Sequence, residues 1–507
     1  MKISTFCKCV LVVVCMLLSP GLKAQEVKLT INATPWDLYN QLGSQRDVVT
    51  DLTLTGQINA ADIGTIRDLP KLTKLNLAGV SLVAGGTFKV SMNLDISVVN
   101  NQVPDYMFFG MANLISVTLP NNVTSIGEQV FQDCTSLTQV VIPSTVKSIG
   151  IYSFGNCTSL PSVSLPSAIT TLSDYLFWSC KGMTTVTIPS NLTSIGKGTF
   201  SVCTGLTQFV VPDANTVYSA IDGVLFNKAK TTLLTYPNSK SAVYTVPDGT
   251  TAIDSYAFES CSGLSSVTLP NSVTSLGEGA FYNCTALSNV NLGNSITSVG
   301  TNAFYNCNIL PSIKIPNSVT SIGWNAFGVC RGLSSIDMGT GVTSIALYAF
   351  TYCTGLSTIT IPASVTTIDE WAFSYCTGLV GIHCNAKTPP TTSSTAFSGV
   401  DKTTCKLYVP TGTSVKYKSA TAWKDFKYIN EEAVGISEIE ASNIKIYTEQ
   451  DVIIIDGADV GDEVAVYNVV GALLQKVKVT DNVTRIYVPK NQIYLIKITT
   501  KTFKVAL

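Results

Sequence analysis

Ten cysteines fall in one motif, Phe-x-x-Cys, and they are the residues of this 507-residue chain with the greatest capacity for chemistry. Ten thiols could form disulfides, hold metal, attack a substrate or fill a core. A thiolate nucleophile needs a base beside it, and the chain contains one histidine, His383. That single imidazole excludes metal triads built on histidine and confines any Ser-His-Asp arrangement to one residue. It falls on an outward strand position, where a solvated side chain is the expectation. Acidic residues occur irregularly, as Glu128, Glu259, Glu278, Asp337 and Glu370, whereas sugar hydrolysis needs two carboxylates at a defined separation in a pocket. No P-loop or dinucleotide fingerprint occurs. The expectation is a protein with no enzymatic activity, no cofactor and no metal.

The elements that must position these thiols follow from a ruler. The motif phenylalanines lie at 131, 154, 177 and 200, then at 258, 281, 304, 327, 350 and 373, with 23 residues between neighbours in each group. A fixed period of this size marks a solenoid. Phe108 extends the register upstream, and Phe397 extends it downstream with one residue of slippage. In the repeat that starts at Cys284, Leu287, Val290 and Leu292 alternate inward as a short strand against polar Ser288, Asn289 and Asn291. Proline then usually ends the strand, as at Pro143, Pro270, Pro316 and Pro362, because it has no N–H to donate. Ile296 and Val299 form a second apolar pair, Gly300 turns the chain, and Phe304 closes the coil from a short 3₁₀ or helical turn. No coil buries its apolar face alone, so stacking supplies the core. The fold class predicted is a β-rich repeat solenoid of about twelve to fourteen coils stacked roughly 4.8 Å apart.

Stacking also judges the cysteines. Equivalent residues on successive coils lie about 4.8 Å apart with parallel Cβ vectors, whereas a disulfide wants Cβ atoms about 3.8 Å apart. In the outlying repeats the slot holds Met111 and, allowing for the slippage, Val400. An apolar thiol ladder is therefore favoured over serial disulfides. Zinc needs four converging ligands, which a ladder does not bring together.

Residues 1–24 read as a secretory signal peptide, with Lys2 and Lys8 before an apolar run from Val10 to Leu18. No later segment approaches the roughly 18 apolar residues of a transmembrane helix. With 32 basic and 33 acidic residues the chain is nearly neutral, and no basic patch points to nucleic acid. The sequence thus predicts an exported protein, either secreted or held at the cell surface.

The stretch "LPNSVTSLGEGAFYNCTALSNVNL" closely resembles the BspA-like leucine-rich repeats of surface proteins in Bacteroidetes and some mucosal protists. The resemblance implies a leucine-rich-repeat right-handed arc with parallel strands on its concave side, and a role in adhesion to host matrix or other cells. It sets the domain limits. Residues 25–104, with Leu69, Leu72, Leu75 and Leu77 in a degenerate repeat, look like an N-terminal cap, and 105–383 carry the 23-residue repeats. The jump of 58 between Phe200 and Phe258 predicts a β-hairpin insertion at about 212–247. Residues 384–430 resemble the solenoid's exit cap, in which Cys384 and Cys405 lie off the register and are the chain's disulfide candidate, with two buried thiols as the competing reading. A linker at 431–440 precedes a small β-sandwich at 441–507 that is similar to the sorting domain of the type IX secretion pathway. Those tails commonly carry glycine before the tyrosine, where this chain has Gln492, Ile493 and Tyr494, so a plain structural module competes with a sorting signal.

Two surfaces are candidates for binding. The concave strands present a small, polar, nearly uncharged ladder that includes Ser266, Thr268, Asn289 and Asn291, although threonine also favours exposed strands for conformational reasons. Around the phenylalanine turn, aromatics recur on neighbouring coils: Tyr282 with Tyr305, Tyr348 with Trp371, Tyr352 with Tyr375, and Trp324 between them. Stacked on one edge they would form a continuous patch suited to interface hot spots, or else a cover for the solenoid's flank. The expected partners are a host extracellular matrix protein, a glycoprotein or another cell surface, with polysaccharide as the alternative.

Overall fold

The computed structural model describes residues 26–91, 94–432 and most of the strands between 445 and 506. The expected signal peptide, and the expected linker beyond residue 432, lie outside the described residues. Two compact units are present, one running through Tyr408 and over Val415–Asn430, the other comprising Val409–Ser414 and the chain from Glu431 on.

The first unit is a β-solenoid in which the sequence period is the strand register. Ser266, Val267 and Thr268 pair in parallel with Asn289, Val290 and Asn291, and Ser298–Val299 pairs with Ser321–Ile322. Most coils thus contribute two short strands, and in the first of them the middle residue is buried between exposed neighbours, as at Val290, Ile313 and Ile336, as period-2 burial requires. Serine and threonine hydroxyls bind coil to coil. Thr297, Thr320, Thr343 and Thr366 each donate to the carbonyl of the preceding coil's threonine at 3.0–3.5 Å, which accounts for their abundance in the repeats.

There are about 18 turns rather than twelve to fourteen. Much of the difference comes from the N-terminal segment, where strands Lys28–Ala33, Asp51–Ile58 and Lys74–Leu82 join the same parallel sheet as Ser116–Thr118 and Gln139–Val141. Between the second and third of these strands runs helix Ala60–Arg67. Its entry is fixed by a capping box, Asn59 accepting from Ala61 and Asp62 N–H while the Asp62 carboxylate accepts from Asn59 N–H.

The motif phenylalanines form two internal stacks, one on each side of the insertion. Ring centroids from Phe258 to Phe397 are 4.8–5.4 Å apart, and those from Phe108 to Phe200 are 5.2–5.9 Å apart. All ten ladder cysteines are free and buried beside these stacks. They do more than fill space. The thiols of Cys134, Cys157, Cys180, Cys203, Cys284, Cys307, Cys330, Cys353 and Cys376 each donate to the carbonyl of the preceding coil's phenylalanine, at 2.9–3.3 Å. Met111 and Val400 fill the slot without donating.

At the far end the stack closes on Trp423 and Phe426, whose rings lie 5.1 and 5.4 Å from Phe397. The Trp423 indole N–H donates to Pro390 O at 2.9 Å. Cys384 and Cys405, the disulfide candidate, are two free buried thiols. The Tyr417 hydroxyl instead donates to Cys384 Sγ at 3.2 Å and to Ala386 O at 2.6 Å, so the off-register thiol is held by a tyrosine rather than by a second sulfur.

The second unit contains two antiparallel sheets. One has strands Lys445–Glu449, Val452–Asp456 and Val483–Tyr487, the other Leu473–Lys478, Glu463–Asn468, Ile493–Ile498 and Lys501–Ala506. Ile453, Ile455 and Ile486 of the first sheet and Val464, Val466, Ile496 and Ile498 of the second share one core.

Candidate functional site

The turn around each phenylalanine has an unusual backbone. The residues two before and two after it adopt positive φ on coil after coil, as at Asn302 (54°) and Asn306 (59°) flanking Phe304. This conformation aims three N–H groups at the next coil: Asn302 to Trp324 O, Phe304 to Ala326 O and Asn306 to Gly328 O, at 2.8–2.9 Å. Asparagine and glycine tolerate the left-handed region, and bulky side chains there are outliers. Asn302, Asn325, Gly198 and Gly279 meet that demand before the phenylalanine. Tyr348 and Trp371 do not, with φ of 59° and 57°, nor do Tyr352 and Tyr375 after it, at 58° and 55°.

The predicted aromatics resolve into separate columns. Tyr282 and Tyr305, immediately after their phenylalanines, stack at 5.0 Å. Tyr348 and Trp371 stack at 6.4 Å before the phenylalanine, and Tyr352 and Tyr375 stack at 4.7 Å and 5° after it. Trp324 stands three residues before Phe327 and joins none of these pairs, yet is 43% exposed. The continuous patch expected on one edge is therefore interrupted: the coil of Phe327 carries Asn325, Gly328 and Val329 in the three slots. Trp371 is half-buried, whereas Tyr352 and Tyr375 are each 44% exposed. The two last full coils consequently flank one stretch of turn with two ring pairs, and the more accessible pair is Tyr352 with Tyr375.

A second cluster lies outside the aromatics singled out from the sequence. Tyr152 and Tyr175 stack at 4.9 Å and 4°, both in the left-handed slot before phenylalanine, with Trp178 edge-on to Tyr152 at 6.1 Å. The signal was present in the 23-residue columns, since Tyr106, Tyr152, Tyr175 and Tyr256 align with Tyr348 and Trp371 apart from the insertion.

The single histidine stacks face to face on Tyr408, 4.5 Å between centroids, because His383 and Tyr408 pair across the parallel strands Gly381–Cys384 and Lys406–Pro410. The outward residues of the first strands form a polar ladder, Asn289 Nδ2 donating to Ser266 Oγ at 3.1 Å. Burial raises the ladder thiols, Cys134, Cys203, Cys330 and Cys376 to about 12, which keeps them protonated and unreactive at neutral pH. Among the described residues no group of His, Cys, Asp and Glu is placed to hold a metal, and no helix is long and apolar enough to cross a membrane.

The family model described as "BspA type Leucine rich repeat region" matches six copies over residues 101–232, 251–380 and 298–429, more than half of the chain. The chain belongs to the BspA-type leucine-rich repeat family. A leucine-rich repeat protein from Eubacterium ventriosum has a similar structure at 22% identity and a TM-score of 0.50, over 74% of this chain and 90% of that one. It shows the same fold. A leucine-rich cell surface protein from Faecalibacterium prausnitzii is 26% identical over 72% of this chain and 85% of that one, with a TM-score of 0.43. The pneumococcal vaccine antigen PcpA is 20% identical over 77% and 82%, with a TM-score of 0.47. No curated protein matches the chain. The BspA-type repeats contain the phenylalanine turns and all of the aromatic pairs predicted above.

Proposed function

We propose that this protein is an exported surface repeat protein that binds a host matrix protein, a glycoprotein or another cell through the aromatic flank of its last full coils. The observation that carries the reading is the choice of residue at the left-handed slots. A tyrosine or tryptophan there costs roughly 1–2 kcal/mol relative to glycine, a cost that Asn302, Asn306 and Asn325 on the two preceding coils reduce and that Val329 shares. Strain of this kind clusters at functional sites. Exposed, pre-stacked rings lose little side-chain entropy on binding, and Tyr and Trp lead among interface hot spots. The membership in a family of repeat regions supports a binding scaffold, and the C-terminal sandwich serves in this reading as the domain that directs or holds the protein at the surface.

The test is surface plasmon resonance of the chain over fibronectin, fibrinogen, collagen, laminin and mucin, with the double variant Tyr352→Ala/Tyr375→Ala beside it. Binding to one of these that weakens at least tenfold in the variant supports the reading. Binding that the variant leaves intact moves the site to the polar strand face.

A further inference from the structure

The 23-residue ruler fails once, and the failure leaves a hole in the turn flank. Between Phe200 and Phe258 the chain forms an enlarged coil containing an antiparallel meander, Tyr218–Ile221, Val224–Asn227 and Thr232–Thr235. Tyr236 takes its phenylalanine slot: the Tyr236 N–H donates to Ala257 O at 2.7 Å, and its ring lies 5.1 Å from Phe258. Yet Tyr236 follows Leu233 by three residues, whereas Phe258 follows Ile253, the register partner of Leu233, by five. The two missing residues belong to the outward part of the turn. The space they vacate is a cavity of about 390 Å³ between the turns of Gly196–Ser201 and Asp254–Glu259, with Tyr218, Leu225 and Leu234 among its lining.

The vacancy strips the preceding turn of its partners. From Phe108 to Phe373, every motif phenylalanine except Phe200 donates its N–H to the next coil. Among the described residues no acceptor meets Phe200 N–H, nor those of Gly198 and Val202 on either side of it. Gly198 and Phe200 line the cavity. On the following turn stands Glu259, a largely buried carboxylate that accepts a hydrogen bond from the Ser201 hydroxyl across the gap. Lys197 Nζ lies 5.0 Å from the centre of the Tyr256 ring at the same cavity, and the Tyr256 hydroxyl donates to Glu278 at 2.6 Å.

The cavity thus offers unpaired donors on one wall, a carboxylate acceptor on the other and apolar side chains below. A hydrocarbon would leave the donors unpaired, which is costly once water is excluded. An anion would meet Glu259. Groups that both accept and donate on adjacent atoms, set around an apolar ring face, satisfy both walls and the floor, and this is the chemistry of a sugar. The volume lies near the small end of the roughly 300–1,000 Å³ of small-molecule pockets, which suits a single ring rather than a chain laid along the flank. We infer that this crevice binds one neutral sugar ring, free or at the end of a glycan. The inference is independent of the partner proposed for the Tyr352 and Tyr375 flank.

The test titrates the chain with the methyl glycosides of glucose, galactose, mannose and N-acetylglucosamine, read by saturation-transfer NMR and calorimetry. At least one glycoside is expected to bind. Glu259→Gln should weaken it on the order of tenfold, as the loss of a charged hydrogen-bond partner does. Ser255→Trp should abolish it by closing the mouth, and the fold accepts tryptophan there, because Trp324 occupies the equivalent place three residues before its own phenylalanine. Both variants should keep the parent thermal midpoint. Tighter binding of a trisaccharide ending in the same sugar would assign the site to a glycan end, and equal binding to the free sugar. No binding by any of the four glycosides overturns the inference. So does binding that survives both variants, or binding of triglycine in place of the sugars.

Discussion

At Tyr375 two effects of similar size oppose one another. Its left-handed backbone costs about 1–2 kcal/mol for a side chain with Cβ, while stacking on Tyr352 returns about 0.5–1.5 kcal/mol. Asparagine tolerates the same backbone, as Asn306 shows two residues after Phe304. Tyr375→Asn is therefore expected to change stability by less than about 1 kcal/mol in a denaturant titration while weakening binding at least tenfold, the separation of effects that a binding role demands. A loss of several kcal/mol would make the ring a structural element. The thiols supply a second prediction. Burial raises Cys134, Cys203, Cys330 and Cys376 to about 12 in the fold, against about 8.5 when unfolded. The unfolded chain therefore loses protons first, so stability is complete below about pH 8.5 and drains as pH rises toward 12. The thermal midpoint should be flat from pH 6 to 8 and fall steadily above 9, and iodoacetamide at pH 8 should label the unfolded chain but not the native one. A midpoint that rises above pH 9, or rapid native labelling, would contradict the buried ladder.

At the scale of one coil, the phenylalanine stack and the hydroxyl ladder contribute very differently. Phe327 is fully buried between Phe304 and Phe350, with ring centroids 5.3 and 5.2 Å away. Phe327→Ala is expected to cost about 3–5 kcal/mol. Thr320→Val removes one exposed coil-to-coil hydrogen bond and is expected to cost about 0.5–1.5 kcal/mol, both read by urea denaturation. Equal losses would mean that the coils are held mainly by their polar edges. The strand pairing, the stack and the free thiols of the regular coils were legible in the sequence because stacking makes the 23-residue period and the spatial neighbour the same thing. Where the period breaks, the antiparallel strands are still legible as a hairpin insertion, but the turn that follows them is not. Tyr236 does not read as a stand-in for phenylalanine because its turn is two residues short, whereas Tyr152 and Tyr175 were legible, being 23 residues apart like the predicted pairs, and only the edge-on Trp178 obeys no repeat. Cys384 shows a further limit: its partner, the Tyr417 hydroxyl, lies 33 residues away in sequence and obeys no repeat.

At the scale of the whole repeat unit, the insertion is a joint as well as a cavity. A solenoid's stability is the sum of its coils and the interfaces between neighbours, so one weak interface divides it into two cooperative blocks. Three features coincide at the enlarged coil. The parallel phenylalanine stack stops at Phe200, whose ring turns edge-on to Phe209 at 73°. The contiguous core that begins at Leu29 extends to Leu225. Phe200 and Val202 lack the coil-to-coil hydrogen bonds that their equivalents make in the other motif coils. The unit should accordingly unfold in two steps, with one block ending near residue 225 and the other beginning near the strand Thr232–Thr235. Native-state hydrogen exchange should show Phe200 and Val202 amides exchanging faster than those of Phe177 and Ser179, which donate to Thr199 and Ser201 at 2.9 Å. Destabilising one block with Phe327→Ala should then lower one calorimetric transition and leave the other within about 1 °C, since mutations far apart act independently. A single transition that shifts as a whole, with matching calorimetric and van't Hoff enthalpies, would show that the meander transmits cooperativity across the gap.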